Sequence, residues 1–256
     1  MKALRTLFIV GMAGSGKSLL TGSLAQFFMD EDQNVITVNL DPGVLSLPYN
    51  PDVDVRDEIN VTDLMDRYGL GPNGALIMAA DLIATKVDVL RESIEESKAD
   101  YVIIDTPGQM ELFAFRKSGP FIATNIAEEP KAVAYLFDAP FSSDPFNYVS
   151  NLFISAALYT RFMMPQVHVL TKIDMIPSNT LDEILTWSEG EGDLEGAIES
   201  RLEGEAYLLS RDLLSTLANL EISTELIPVS AKTGKGLLNL SAVLTRIFSG
   251  GEEILR

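Results

Sequence analysis

Short apolar runs alternate along the chain with longer stretches in which apolar residues recur every three or four positions. The short runs are rich in Val, Ile and Leu, and they predict six β-strands at residues 7–10, 35–40, 101–104, 132–137, 167–170 and 225–229. The longer stretches have the spacing of amphipathic helices. This alternation predicts an α/β fold with a mainly parallel, doubly wound sheet and helices on both faces.

The stretch between the second and third runs is too long for a simple crossover. Helical patterns at residues 61–68 and 75–98 are separated by a cluster of helix-breaking residues at 69–74. We therefore predict a helical insertion at about residues 50–98, with Gly71, Pro72 and Asn73 at the tip of a hairpin. Because the sequence has no stretch resembling a linker, its 256 residues are predicted to form one domain.

Polar residues directly follow five of the six predicted strands. In a parallel sheet the carboxyl ends of the strands form one edge, and ligands bind beyond that edge. The polar groups are residues 11–18, Asp41, residues 105–109, residues 171–174 and residues 230–232. Their positions predict that all five groups converge on a single binding site.

Composition narrows the range of partners. With 37 acidic and 19 basic residues the formal net charge is −18, so the average surface repels nucleic acid and anionic membranes, and neither is predicted to bind directly. The apolar stretch at 146–165 is interrupted by Asn147 and Arg161, so it is predicted to be a buried helix rather than a membrane span. The acidic segment at 189–205 is predicted to be a solvated loop and helix face. The absence of cysteine excludes disulfides and cysteine-ligated zinc and is typical of a reducing, cytoplasmic location.

The first polar group has the spacing of a phosphate-binding P-loop, G-x-x-x-x-G-K-S, between a strand and a helix. It comprises Gly11, Met12, Ala13, Gly14, Ser15, Gly16, Lys17 and Ser18. Backbone N–H groups of such a loop surround phosphate oxygens at the positive end of the following helix. Lys17 is predicted to reach the β- and γ-phosphates and Ser18 to bind Mg²⁺, within a P-loop NTPase fold that carries the inserted hairpin.

Two further strand ends are predicted to act on the same phosphates. The Asp105 carboxylate is placed to hold Mg²⁺ or its water shell, and the Gly108 N–H to approach the γ-phosphate. Gln109 is a candidate for orienting the attacking water. Asp41 is assigned either to the Mg²⁺ shell or to polarising that water, and a turn or helix-capping role is its alternative.

The last two strand ends are predicted to recognise the base. The Asp174 carboxylate can accept from the N1–H and the exocyclic amino group of guanine, and adenine lacks that pair of donors. Lys172 can lay its methylene chain along the base, and the Ala231 N–H can donate to guanine O6. Thr171, Ser230 and Lys232 complete the two segments. GTP and GDP are therefore the predicted ligands.

Taken together, these motifs closely resemble those of the GPN-loop GTPases of archaeal type. The resemblance rests on the P-loop, Asp41, residues 105–109, 171–174 and 230–232, and on the Gly71-Pro72-Asn73 tripeptide, and it covers almost the whole length. It implies a homodimeric GTPase, related to signal-recognition and MinD-like proteins, in which the Gly-Pro-Asn loop reaches the partner's nucleotide phosphates. It therefore assigns Asn73 a catalytic role beside Lys17, Asp41, Asp105 and Gln109.

The sequence departs from neighbouring families at two places. Thr171 stands where many GTPases have Asn, so the side chain that normally ties this loop to the P-loop is shortened. MinD-like relatives have an extra lysine near the start of the P-loop, whereas this chain has Met12 and Ala13. An Asn from the insertion would be an uncharged substitute for that lysine.

Three functions are weighed. The first is GTP hydrolysis by a phosphate-clamping dimer. The second is a nucleotide-gated assembly factor for a protein client, in which hydrolysis is only a timer; eukaryotic relatives are linked to RNA polymerase II assembly and nuclear import, so a polymerase client is an analogy. A third, a P-loop kinase, is disfavoured because Asp174 and Ala231 specify the base and no second acceptor pocket is evident.

Overall fold

A computed structural model describes residues 4–190, 194–199 and 225–250, and within them seven strands form one sheet. The strand order is β3-β2-β4-β1-β5-β6-β7 and every adjacent pair is parallel. The strands are β1 Arg5–Gly11, β2 Val35–Asn39, β3 Val53–Asp54, β4 Tyr101–Asp105, β5 Lys131–Asp138, β6 Gln166–Thr171 and β7 Leu226–Pro228. Of the predicted acidic segment, residues 191–193 and 200–205 lie outside the described residues.

The helices fall mainly between the strands. They are α1 Lys17–Asp30, α2 Val61–Tyr68, α3 Pro72–Thr85, α4 Val87–Glu96, α5 Met110–Ala114, α6 Ser118–Asn125, α7 Ala139–Ser142, α8 Pro145–Phe162, α9 Ser178–Glu189, α10 Leu194–Glu199 and α11 Leu237–Phe248. Short 3₁₀ helices span Val55–Asp57 and Ile173–Met175. The predicted α/β architecture with a parallel, doubly wound sheet is confirmed.

Both faces of the sheet are buried, as the nearly continuous apolar composition of its strands requires. Alternate residues of β1 point to opposite sides: Leu7 and Ile9 pack with α1 and α11, whereas Phe8 and Val10 belong to the larger cluster on the other face. That larger cluster also contains buried residues of α3, α4, α6 and α8. The sheet is therefore a rigid middle layer that fixes the positions of the loops at its carboxyl edge.

The inserted segment differs in detail from its prediction. The helical pattern at 75–98 is divided into α3 and α4, because Lys86 adopts a non-helical conformation (φ −105°, ψ 2°) and pairs with Glu58 at 2.9 Å. The tripeptide Gly71-Pro72-Asn73 does lie between two helices, but Pro72 and Asn73 already belong to the first turn of α3. Proline is favoured at this position because N–H groups in the first turn of a helix have no acceptor within the helix, so the N–H that proline lacks is not needed.

The predicted buried helix at 146–165 corresponds to α8, in which Asn151 and Ser155 are buried along with the apolar residues. Across the described ranges, no helix combines the length and the apolar character needed to cross a membrane. The organisation of the whole chain as one domain remains a prediction.

Candidate functional site

The P-loop follows β1, near the middle of the sheet, and turns sharply into α1. Gly14 and Gly16 have φ values of 78° and 94°, in the left-handed region where a side chain is strained. Gly16 is the N-cap of α1, and the Ser15 N–H donates to the Met12 carbonyl at 3.1 Å. The loop thus lies at the positive end of a 14-residue helix, as phosphate binding requires.

Lys17 is buried, with 6% of its surface exposed, and its Nζ donates to the carbonyls of Gly11 and Met12 at 3.0 Å each. Burial lowers the pKa of Lys17, and the nearby carboxylates of Asp105 and Asp41 oppose that shift. The ammonium group therefore lies over the loop and is electrostatically coupled to both acidic residues predicted to act on phosphate.

Asp105 is the last residue of β4 and is almost completely buried. Burial raises the pKa of its carboxyl group to about 6, against the opposing effects of the nearby Ser18 hydroxyl, the Lys17 charge and the Tyr49 hydroxyl. The Tyr49 hydroxyl donates to Oδ2 at 3.1 Å, while Oδ1 is buried and has no hydrogen-bond partner. The carboxylate thus keeps one oxygen available in the interior of the site.

Asp41 connects the segment after β2 with the segment after β4. Its Oδ2 accepts from the Gly108 N–H at 2.9 Å, and its Oδ1 accepts from the Gly43 N–H at 2.9 Å. Asn39 fixes the Asp41 backbone, because its Oδ1 accepts from the Asp41 N–H at 3.0 Å. The Asp41 carboxylate is therefore held against the N–H that is predicted to reach the γ-phosphate.

A cavity of about 190 Å³ lies between these segments and the start of α3. Its lining includes Ala13 of the P-loop, Asp41, Gly108, and Leu76 of α3. Gln109 also lines the cavity, and it is exposed at the N-cap of α5. Because residues of α3 and of the predicted phosphate site line the same cavity, helix α3 lies next to that site.

Gly71, Pro72 and Asn73 are all exposed at the beginning of α3. Within the described part of the chain, the Asn73 side chain makes no hydrogen bond, so its amide is available to a ligand or partner. At the other end of α3, Asp81 accepts from Arg116 Nε at 3.0 Å and Nη2 at 2.5 Å, and from Ser118 at 3.1 Å. Helix α3 is thereby braced against the segment that follows the Asp105 loop.

Thr171, at the end of β6, ties the predicted base-binding segment to the P-loop. Its hydroxyl donates to the Ser15 carbonyl at 2.7 Å and lies 3.1 Å from the Phe137 carbonyl. Although threonine is shorter than the Asn of many GTPases, it therefore still makes this connection. A hydroxyl is sufficient because β6 brings it directly beneath the loop.

Lys172 adopts the left-handed conformation, with φ 59°, and its Nζ pairs with Asp138 at 2.6 Å. A side-chain carbon built on Gly16 would lie 3.8 Å from Lys172 Cε, so the methylene chain passes over the P-loop. This orientation leaves an apolar stem between the phosphate end and the base end of the site.

Asp174 is exposed, and its Oδ1 accepts from the buried Ser230 hydroxyl at 2.6 Å. That hydrogen bond is the main cause of the lowered pKa of Asp174, and the Lys232 charge also contributes. The Ala231 carbonyl accepts from Ser23 of α1 at 2.8 Å, which fixes the backbone of the last segment. The carboxylate is ionised and held in one orientation, as recognition of two donors requires.

The residues predicted to bind Mg²⁺ fit such an ion. Asp105 Oδ1 is a buried acceptor without a partner, and the Ser18 hydroxyl is within reach of the same carboxylate. Over the described ranges, no group of three or more His, Cys, Asp or Glu could hold a metal without help. Magnesium in nucleotide sites needs only one or two protein ligands, since phosphate oxygens and water supply the rest.

Three residues of the site were not identified from the sequence. Asp138 pairs with Lys172 and directly follows a predicted strand, so the rule that identified Asp105 would also have identified it. Asn39 orients Asp41 from inside a strand, and Tyr49 reaches Asp105 across 56 positions of sequence. No local pattern marks either of the last two.

Comparisons with known proteins identify relatives of this chain. A sequence-family model described as "Conserved hypothetical ATP binding protein" matches residues 9–250. GPN-loop GTPase 1 of Dictyostelium discoideum is 31% identical over 236 residues, which cover 90% of this chain and 58% of that protein. A GPN-loop GTPase of Pyrococcus abyssi is 31% identical over 238 residues, covering 91% of this chain and 93% of that protein.

The fold is also that of a solved relative. The crystal structure of a Pyrococcus abyssi GTPase in its apo form superposes with a TM-score of 0.84 and 30% sequence identity, covering 95% of this chain and 97% of that one. The chain spans between 58% and 63% of the length of the Dictyostelium, Arabidopsis and Saccharomyces relatives. The likeness to the Pyrococcus protein, in contrast, extends over nearly the full length of both chains.

Proposed function

This chain belongs to the GPN-loop GTPase family, and from that premise we propose that it is a homodimer that binds GTP with Mg²⁺ and hydrolyses it to GDP and phosphate. The observation that carries the proposal is the hydrogen bond from Thr171 to the Ser15 carbonyl. It joins a P-loop to a segment whose fixed carboxylate, Asp174, suits guanine. A single ligand with phosphates at one end and guanine at the other would fill both the P-loop and the segment that contains Asp174.

The chain's own residues suit phosphoryl transfer to water, which depends on positioning and charge stabilisation. Lys17 and the loop N–H groups bind the phosphates, and the Gly108 N–H stabilises charge on the γ-phosphate. A bound Mg²⁺, held by Ser18 and Asp105, supplies neutralisation of phosphate charge.

Asp41 is the better candidate for polarising the attacking water. Its carboxylate already lies 2.9 Å from the Gly108 N–H, whereas Gln109 is exposed at the start of α5. A γ-phosphate oxygen that takes the Gly108 N–H would free the Asp41 carboxylate to accept a proton from water. Asp41 is thus released for this task only when the γ-phosphate is present.

In the proposed dimer, the Gly71-Pro72-Asn73 loop of one subunit covers the phosphate site of its partner. The exposed, unbonded Asn73 amide supports this arrangement, since it can donate to a phosphate oxygen without adding charge. Two nearby arginines are already engaged within the chain, Arg56 with Asp54 and Arg116 with Asp81. Two-fold symmetry would make the contact reciprocal.

The second candidate role is that of a nucleotide-gated assembly factor acting on a protein client, with hydrolysis as a timer. In the loop that follows β4, Thr106 is anchored to the Ile9 carbonyl at 2.7 Å, whereas the Gly108 N–H bonds to the Asp41 carboxylate at 2.9 Å, an acceptor that a γ-phosphate oxygen can replace. This arrangement favours a loop that changes conformation with the γ-phosphate. Turnover measured with and without a candidate client separates the two roles.

The primary test measures phosphate release from GTP and from ATP by the full chain, with Mg²⁺ and with EDTA. We expect phosphate to be released from GTP and not from ATP, and only when Mg²⁺ is present. Lys17→Ala should reduce this release by orders of magnitude, while its circular dichroism spectrum should show that the fold is retained. Equal turnover of ATP, or a phosphorylated acceptor in place of free phosphate, would overturn the proposal. Sedimentation with a non-hydrolysable GTP analogue tests the dimer.

A further inference from the structure

Tyr49 lies in the segment between β2 and β3, and its ring reaches across to helix α1. A side-chain carbon built on Gly22 of α1 would lie 3.0 Å from Tyr49 Cβ and 3.5 Å from Cγ. The absence of a side chain at Gly22 therefore allows the tyrosine to pack directly against the helix backbone. From this position the hydroxyl donates to Asp105 Oδ2 at 3.1 Å.

The backbone that carries Tyr49 is anchored close by. Asp52 accepts from the Thr37 N–H at 2.7 Å and from its hydroxyl at 3.1 Å, and the Asp52 N–H donates to the Thr37 carbonyl at 2.9 Å. Earlier in the same segment, the Val44 carbonyl accepts from Arg56 at 3.1 Å. Anchors on both sides of Tyr49 restrict the movement of its hydroxyl.

Asp105 needs such a partner because its environment leaves it otherwise poorly held. The carboxylate is 1% exposed at the end of an apolar strand, and its second oxygen, Oδ1, has no hydrogen-bond partner. A buried acceptor without a partner is unfavourable unless a ligand completes it. The hydrogen bond at Oδ2 restricts rotation of the carboxylate while leaving Oδ1 available.

We propose that Tyr49 is a positioning residue for the GTPase reaction, whose hydroxyl holds the Asp105 carboxylate in the orientation that receives the nucleotide-bound Mg²⁺. This inference rests on the function proposed above. Tyr49 touches neither nucleotide nor metal in this role; it acts through Asp105, as partners of metal ligands commonly do. The segment between β2 and β3 is thereby made part of the metal site.

The test compares Tyr49→Phe, which keeps the ring and removes the hydroxyl, with the wild-type chain. The matched control is Tyr159→Phe, at an exposed tyrosine on α8. Mn²⁺ is the probe, and its binding to the GDP complex is measured by electron paramagnetic resonance. We expect Tyr49→Phe to weaken Mn²⁺ binding by roughly tenfold and Tyr159→Phe to leave it unchanged. GDP affinity in EDTA should stay within about twofold for both.

The kinetic readout is the Mg²⁺ concentration needed for half-maximal hydrolysis. It should rise in Tyr49→Phe, with kcat largely restored at saturating Mg²⁺. A purely structural role would lower stability while leaving the metal dependence unchanged, and that result would refute the inference. A wild-type chain that binds no GDP would instead refute the proposed function.

Gly22→Ala provides a second route should Tyr49→Phe not fold. Alanine favours the helix over glycine, but its Cβ would force Tyr49 to shift by a few tenths of an ångström. We expect a smaller loss of Mn²⁺ affinity without loss of stability. Unchanged Mn²⁺ affinity in a folded Gly22→Ala variant would also count against the inference.

Discussion

The Asp41 carboxylate accepts a hydrogen bond of 2.9 Å from the Gly108 backbone N–H. The first residue follows β2 and the second follows β4, so a single contact joins two of the segments that surround the phosphate site. An oxygen of the γ-phosphate would be the natural replacement for this carboxylate.

The first prediction is that Asp41→Asn will separate binding from catalysis. Asparagine keeps an oxygen for the Gly108 N–H but loses the charge that would polarise water, so single-turnover phosphate release should fall by roughly 100-fold. GDP affinity, measured with a fluorescent analogue, should change little. Normal turnover in Asp41→Asn, together with a loss in Gln109→Ala, would transfer this role to Gln109.

Base specificity should depend on the pairing of Asp174 with Ser230. GTP and GDP are expected to bind at least tens of times more tightly than ATP, because adenine lacks the two donors that the Asp174 carboxylate can accept from and would leave that carboxylate unpaired against the base. Asp174→Asn should shift the preference toward xanthine nucleotides. Ser230→Ala removes the 2.6 Å bond that orients the carboxylate and should weaken GDP binding by about fivefold in calorimetry. Equal affinities of the wild-type chain for GTP and ATP would exclude this assignment.

Thr171→Val should weaken both the fold and the nucleotide site. Valine has nearly the same shape but leaves the Ser15 carbonyl without its donor from β6, which should lower the free energy of unfolding by about 1–3 kcal/mol in urea. GDP affinity should fall as well, because the P-loop is no longer tied to the base segment. Thr160→Val, at an exposed position on α8, is the control and should be nearly neutral.

Stability without nucleotide or metal should decrease as the pH rises through the titration of Asp105. Its pKa is about 6 in the folded chain against 3.8 as the reference for an unfolded one, so the folded state binds the proton more tightly. The stabilisation is complete below about pH 4 and is lost as the pH rises through 6, by up to about 3 kcal/mol.

Denaturation in EDTA at pH 4.5 and pH 7 tests this dependence. Asp105→Asn mimics the protonated carboxyl group, so it should be more stable than the wild type by about 3 kcal/mol at pH 7 and by only about 1 kcal/mol at pH 4.5. Taking the difference between the two proteins cancels the general effect of the −18 net charge. A difference that does not vary with pH would contradict the prediction.

The last prediction concerns action between subunits. Asn73→Ala should lower turnover by roughly ten- to a thousand-fold with GDP affinity nearly intact, as expected for loss of one charge-stabilising donor. In the proposed arrangement each site uses its own Lys17 and the Asn73 of its partner. In a heterodimer of Asn73→Ala and Lys17→Ala chains, the site of the Lys17→Ala chain therefore lacks both groups, and the site of the Asn73→Ala chain has both. Activity should therefore recover in verified heterodimers. Absence of recovery would indicate that the loop acts within its own chain or has no catalytic role.

The sequence predicts the sheet well because its strands are continuous apolar runs, but it does not predict every short element. β3 has only two residues, and Lys86 interrupts a helical pattern that periodicity alone would continue. Motifs at strand ends were identifiable because their residues are consecutive. Tyr49 with Asp105, and Thr171 with Ser15, are contacts between distant segments, and only the folded sheet brings them together.

The bonds from Lys17 to the carbonyls of Gly11 and Met12 bear on how quickly nucleotide is exchanged. When GDP leaves such a loop, the lysine transfers to acceptors that are already in place, so departure of the product is a substitution rather than the creation of a bare buried charge. The incoming nucleotide must break the same bonds from Lys17 to the loop carbonyls. These bonds therefore lower both the affinity for nucleotide and the barrier to its release. Release of the product is therefore easier than it would be from a loop that left the lysine without acceptors.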